Sequence, residues 1–178
     1  MAENTLYSED TPAPKPVKTE KLGAPAVEDN MLAKLTSAIK KKVERDIVHL
    51  EVPERPGVLL RISPNITQNQ LKAWRRNAGE ETKNGLDATK FACSVIGHTT
   101  VGICMNDEEV FDEGGFPLTF SSEDVLKMTD TTRPLPDAVR VFFGVDPHIE
   151  AAALAILDAA GYGDTVDTVD PTKESSKI

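Results

Sequence analysis

The chain has 178 residues, with 29 acidic against 20 basic side chains and a formal charge of -9. That balance disfavours nucleic acid and anionic membrane as partners, since both select for net positive charge. No apolar run approaches the ~20 residues of a membrane span, and the N-terminus MAENTLYSEDTPAPKP lacks the apolar segment of a secretory signal. Two cysteines without such a signal point to free thiols in a reducing cytoplasm.

Residues 1–30 are expected to form a disordered, acidic arm. Pro12, Pro14, Pro16 and Pro25 interrupt a charged segment with too few large apolar residues to offset ordering entropy. From residue 31 the spacing predicts a helix, with Leu32, Leu35, Ile39 and Val43 on one stripe. Lys40, Lys41 and Lys42 read as its solvated, dipole-favoured C-terminal end. A hairpin follows: Val48, Leu50 and Val52 alternate, as do Val58, Leu60 and Ile62. Pro56-Gly57 suits the central positions of a type II turn, because Pro fixes the first φ and Gly accepts the positive second one. His49 falls on the polar side of this alternation and reads as solvent-facing.

Thr67 and Gln70 are spaced as a capping box, and Ile66 and Leu71 as a hydrophobic staple. The helix they start puts Leu71, Trp74 and Ala78 on one face and stops at Gly79. Arg75 and Arg76 beside the single tryptophan are weak grounds for base stacking. EETKNG is a loop, LDATKFACSVIGH a helix and TVGICM a strand. NDEEVFDEGG reads as a charged turn. Ser121 with Asp124 is expected as a second capping box, and Phe120 with Val125 as its staple. A helix carrying Leu135, Val139, Phe142 and Phe143 ends at Gly144. In the last helix, Asp146 is expected as N-cap and Pro147 as first residue. Ile149, Ala152, Ala153, Ile156, Leu157 and Ala160 form its buried face, and Gly161-Tyr162-Gly163 stops it. Residues 164–178 are expected to be a disordered acidic tail. The chain thus reads as α+β: a small antiparallel sheet or hairpin packed with about five or six helices, in a single domain over 31–163.

The most site-like stretch is CSVIGHTTVGIC, which holds both cysteines around His98. Structural zinc takes four ligands at close, paired spacings. Cys93 and His98 are five apart, Cys104 follows six later, and His49 and His148 are distant in sequence. A nucleophilic cysteine wants a neighbouring base and a lowered pKa. His98 could be that base, but FACSVI and VGICM are settings for small buried thiols, so both cysteines are read as core around a break at Gly97. DEEVFDEGG lacks the order of a calcium loop. There is no phosphate loop, no dinucleotide fingerprint and no nucleophile elbow. No catalytic, cofactor-binding or metal residue is assigned, and the chain is expected not to be an enzyme.

The back half carries a resemblance. The acidic turn leading to Gly115-Phe-Pro-Leu-Thr-Phe120, the short helix after it, Ala138-Val139-Arg140 with Phe143-Gly144, and the alanine-rich last helix ending Ala160-Gly161-Tyr162-Gly163 resemble the tail assembly chaperones of long-tailed, siphovirus-type bacteriophages, especially those of actinobacterial hosts. The resemblance spans about residues 45–172 and rests on turns and caps rather than on a chemical signature. It implies a non-catalytic protein of the host cytoplasm. Such a protein binds the tape measure protein, keeps it soluble, assists tail tube subunits and is absent from the finished virion. It also implies, for many members, a longer frameshifted form of the same chain. Phe116, Leu118, Phe142 and Phe143 are candidates to line a client groove or simply to be core, so no partner-binding residue is assigned. Two alternatives compete. A structural tail or head accessory protein would be incorporated in the particle at fixed copy number. A thiol- or metal-dependent enzyme would use Cys93, His98 and Cys104.

Overall fold

The computed structural model describes residues 30–163. Apart from Asn30, the arm expected over 1–30 and the tail expected over 164–178 lie outside the described residues. The chain divides between Val43 and Glu44 into two compact units.

The first unit contains α1 (Met31–Lys40), whose N-cap Asn30 accepts a hydrogen bond from the Leu32 amide at 2.9 Å. None of its residues is buried. The helix ends before Val43, so the expected stripe is one position shorter than its spacing suggested, and Val43 is 89% exposed. The single domain expected over 31–163 therefore includes a helix that groups with the first unit.

The second unit is α+β. β1 (Val48–Glu51), β2 (Val58–Ile62), β3 (Thr100–Met105) and β4 (Glu108–Val110) form one antiparallel sheet in the order β1-β2-β3-β4. The β1–β2 connection closes as the Pro-Gly pair requires. The Val58 amide donates to the Arg55 carbonyl at 3.1 Å, with Gly57 at φ 82°, the positive value a type II turn needs at its third residue. The sheet is longer by a strand than the expected hairpin and single strand. The reason is a two-residue turn at Asn106-Asp107, with φ of 52° and 68°. Positive φ at both centres is the geometry that folds adjacent strands onto each other, so Glu108–Val110 pair with β3 instead of forming part of a charged turn.

α2 (Gln68–Asn77) begins with the expected capping box: Thr67 Oγ1 accepts from the Gln70 amide, and Gln70 Oε1 accepts from the Thr67 amide. It ends in a Schellman motif, with Gly79 at φ 91° and the Glu80 amide reaching the Arg75 carbonyl. α3 (Ala88–Thr99) is capped by Asp87, whose carboxylate accepts from the Lys90 amide at 2.9 Å. It runs straight through Gly97, which is no break. A Cβ there would collide with the Leu135 side chain, so glycine is the residue that lets the Pro134–Ala138 turn pack on the helix.

α4 (Glu123–Met128) starts one residue later than expected. Its N-cap is Ser122, which makes no cap bond, because the Ser122 hydroxyl accepts from the Thr119 amide instead. The Ser121–Asp124 box does not form, although Phe120 and Val125 are both buried. The turn at Pro134–Ala138 is π-helical, with Leu135 extended, and leads into α5 (Val139–Phe143). Gly144 closes that helix at φ 78°. α6 (Asp146–Ala159) has Val145 at its N-cap, not Asp146. The Asp146 carboxylate is taken by Arg140, at 2.8 and 3.3 Å. Gly161 ends α6 in a second Schellman motif, and Tyr162 donates its hydroxyl to the Ile66 carbonyl at 2.9 Å.

The core lies on one face of the sheet. Leu60, Ile62 and Ile103 from the strands meet Cys93, Val95 and Ile96 of α3, Val139 and Phe143 of α5, and Ile149 and Ile156 of α6. Two extended β-strand faces cannot both be apolar in a sheet covered on one side. The other face accordingly carries His49, Glu51 and the Arg61–Glu109 ion pair, with Gly102 beneath it.

Candidate functional site

The two cysteines are placed differently. Cys93 is fully buried in the core cluster, and burial pushes its thiol up to about 12. Cys104 is 4% exposed yet lies outside that cluster. Its neighbour Ile103 points into the core, so Cys104 points to the opposite face of the sheet, between Leu59 and Glu109 in register. The expectation of small buried thiols holds for both: Cys93 lies in the core cluster, and Cys104 is buried on the opposite side of the sheet, where strand alternation places it beside the Arg61–Glu109 pair. Burial and the Glu109 carboxylate hold its pKa above the usual thiol range. A thiol in either setting is protonated near neutrality, the poor state for nucleophile or ligand.

His98 is joined to neither cysteine in a reactive pair. It lies on the exposed side of α3 and stacks on Trp74, with ring centroids 5.1 Å apart and planes within 6°. Burial against that ring lowers its pKa. The stretch that looked like a site is therefore a core thiol, a stacking histidine and a thiol on the far face of the sheet. Among the described residues, no group of three or more His, Cys, Asp or Glu side chains could hold a metal ion. In the acidic loop, Asp112 accepts from the amides of Gly114 and Phe116, each at 2.9 Å, and so acts as the loop's own backbone partner. Arg75 and Arg76 engage Glu80 and Glu81.

The four groove candidates are not brought together as a groove. Leu118 and Phe143 are core, while Phe116 is 69% exposed on the acidic loop. Phe142 sits between these extremes. Its ring meets Phe120 edge-on, with centroids 5.2 Å apart. With Val58, Met128 and Val141 it lines an open recess of about 300 Å³, to which Arg55 and Thr129 also contribute. Arg55 is held there by the carbonyls of Phe142 and Val141, at 3.2 and 3.4 Å. Met128 and Val141 are 61% and 47% exposed. Sequence reasoning missed Met128 and Val141, since each falls off the apolar stripe of its own short helix. Their only signal is the presence of large apolar side chains where the pattern asks for polar ones.

No protein-family model matches the chain, no curated protein matches it significantly, and no solved structure does so either. Among the described residues no helix is long and apolar enough to cross a membrane.

Proposed function

We propose that the chain is a non-catalytic tail assembly chaperone of a long-tailed bacteriophage. It binds the tape measure protein in the host cytoplasm, keeps it soluble while tail tube subunits assemble, and leaves before the virion is complete. The resemblance of Gly115–Phe120, Ala138–Arg140, Phe143-Gly144 and Ala160–Gly163 motivates the reading. The observation that carries it furthest is the apolar recess of Val58, Met128, Val141 and Phe142. A client with long amphipathic helices needs such a surface, where a helix lays a few apolar anchors into a groove. Methionine suits the task, being unbranched and able to reshape around different partners. The net charge of -9 keeps a complex with an apolar client dispersed. Both thiols are buried with raised pKa values, the poor state for a nucleophile.

The test is quantitative mass spectrometry of purified virions against lysate of producing cells, with capture of the tape measure protein by the tagged chain. Abundance in lysate, absence from particles and capture lost in Val141→Asp support a chaperone. Fixed copy number in particles makes the chain a structural tail or head subunit instead.

A further inference from the structure

The two edges of the sheet are treated differently. Beyond β4 the chain folds back on itself: the Leu118 amide donates to the Val110 carbonyl at 2.9 Å, and Phe111 bridges Pro117. Among the described residues β1 has no such neighbour on its outer side. The Val52 amide donates to the Val58 carbonyl at 3.1 Å, continuing the β1–β2 register. Backbone groups alternate between the two sides of a strand. Val48 and Leu50 therefore bond to β2, while the amides and carbonyls of His49 and Glu51 point to the open edge. No hydrogen bond among the described residues takes them. Exposed edges are normally blunted by lysine, proline or a bulge. The strand VHLE contains neither lysine nor proline and pairs with β2 without interruption; Pro53 bounds it only after Val52. Its side chains are also left half finished. Val48 and Leu50 pack against the core but are only partly buried, and His49 and Glu51 are exposed on the opposite face.

We propose that β1 pairs antiparallel with β1 of a second copy, about a two-fold axis at Leu50, so that two sheets join into one. In this register His49 of each copy stands opposite Glu51 of the other, and each pair exchanges both of its free backbone bonds, four in all. The same register sets imidazole beside carboxylate twice on the polar face. On the core face it sets Leu50 against Leu50 at the closer cross-strand spacing, about 4.5 Å between Cα atoms, and covers the halves that one copy leaves exposed. Unlike polar partners and apolar pairs across a ladder both stabilise it. The neighbouring two-fold registers lose this match. Centred on His49, imidazole faces imidazole and Glu51 faces Ile47; centred on Glu51, carboxylate faces carboxylate and His49 faces Pro53, which has no amide to give. A second copy is the occupant the edge selects, because β1 is complementary to itself in backbone, charge and apolar contact at once. The two-fold closes on itself, so pairing stops at the dimer. This inference does not depend on the chaperone reading, because it uses neither the client recess nor the resemblance.

The test is sedimentation velocity of the full chain over a dilution series, for wild type, Glu51→Pro, His49→Glu and the double variant His49→Glu with Glu51→Lys. Wild type is expected to dimerise as concentration rises. Glu51→Pro removes an amide that the fold itself does not use, at an edge position where proline is tolerated. It deletes two of the four interchain hydrogen bonds and should weaken the dimer by at least about tenfold. His49→Glu sets like charges opposite each other and should also weaken it. Adding Glu51→Lys should restore it, since unlike charges face each other again. Both side chains are exposed, so circular dichroism of the charge variants should match wild type. A wild type that is monomeric at every concentration overturns the proposal. So does a dimer that Glu51→Pro leaves as tight, or one in which the double variant is no tighter than His49→Glu alone. Amide hydrogen exchange of wild type, followed by nuclear magnetic resonance, reads the edge without any substitution. The His49 and Glu51 amides should slow as the dimer forms, and dimerisation that leaves both unprotected overturns the pairing.

Discussion

Replacing Gly97 by alanine sets two effects of opposite sign against each other. In the interior of an ordinary helix, Gly→Ala stabilises by about 1 kcal/mol, because it narrows the unfolded ensemble. Gly97 is inside α3 with ordinary helical backbone, so that gain is available. Against it stands Leu135. An added Cβ would collide with one Leu135 methyl, and it would meet Cγ and the other methyl at 3.0 and 3.1 Å. A χ2 change leaves Cγ in place, a χ1 change takes Leu135 out of its packing against the core, and Pro134 and Pro136 stiffen the backbone that carries it. Overpacking of this kind costs about 1–3 kcal/mol. The expected net effect of Gly97→Ala is a loss of about 1 kcal/mol. In a Leu135→Ala background the collision is gone, and the same change should stabilise by about 1 kcal/mol. The coupling energy across the double-mutant cycle is then about 2 kcal/mol. Urea denaturation, followed by Trp74 fluorescence and by far-ultraviolet circular dichroism, measures all four corners. A single Gly97→Ala variant more stable than wild type, or a coupling near zero, would show that Leu135 does not hold this glycine in place.

Three further outcomes are expected. Asp107→Gly should stabilise by about 1 kcal/mol in the same denaturation assay, since Asp107 holds φ at 68° in the Asn106-Asp107 turn and glycine adopts that conformation without steric cost; an unchanged midpoint would argue against the two-residue turn. His98 should titrate below its ordinary value of 6.5 by nuclear magnetic resonance, because burial against Trp74 opposes its charged form. The unfolded chain then takes up the proton first, so this contribution to stability is intact above about pH 6.5 and declines as pH falls towards the folded value; a midpoint above 6.5 would refute it. Native-state alkylation should modify Cys104 before Cys93, since Cys104 lies on the outer face of the sheet and Cys93 in the core, with a thiol pKa pushed up to about 12; the reverse order would contradict the assignment of faces.

Local chemistry was legible wherever neighbours in sequence are also partners in space. The Thr67–Gln70 box, the Pro56-Gly57 turn and the glycine stops at 79, 144 and 161 all appear where their spacing places them. The same logic misplaced two caps. Ser121 was expected as a cap, but α4 starts after Ser122, whose hydroxyl is taken by the Thr119 amide, and Asp146 is taken by the Arg140 guanidinium. A capping pattern records what a side chain can bond, not which bond wins. β4 was missed because EEV carries more charge than apolar surface, and its strand character comes from pairing with β3.

Alternation and helical periodicity were enough to establish an antiparallel sheet with helices and to identify the core side chains of α6, because both patterns are properties of the backbone's own repeat. Three things needed the fold. Gly97 is a contact point and not a helix break, since its partner Leu135 lies 38 residues away in the chain. Cys93 and Cys104 are buried on opposite sides of the sheet, since the side that the helices cover is a tertiary choice. Met128, Val141 and Phe142 share one recess with Val58, since only packing brings α4, α5 and β2 to the same patch of surface. Short-range order follows from covalent neighbours. The surfaces a partner could recognise are assembled from residues distant in sequence, and no local pattern encodes them.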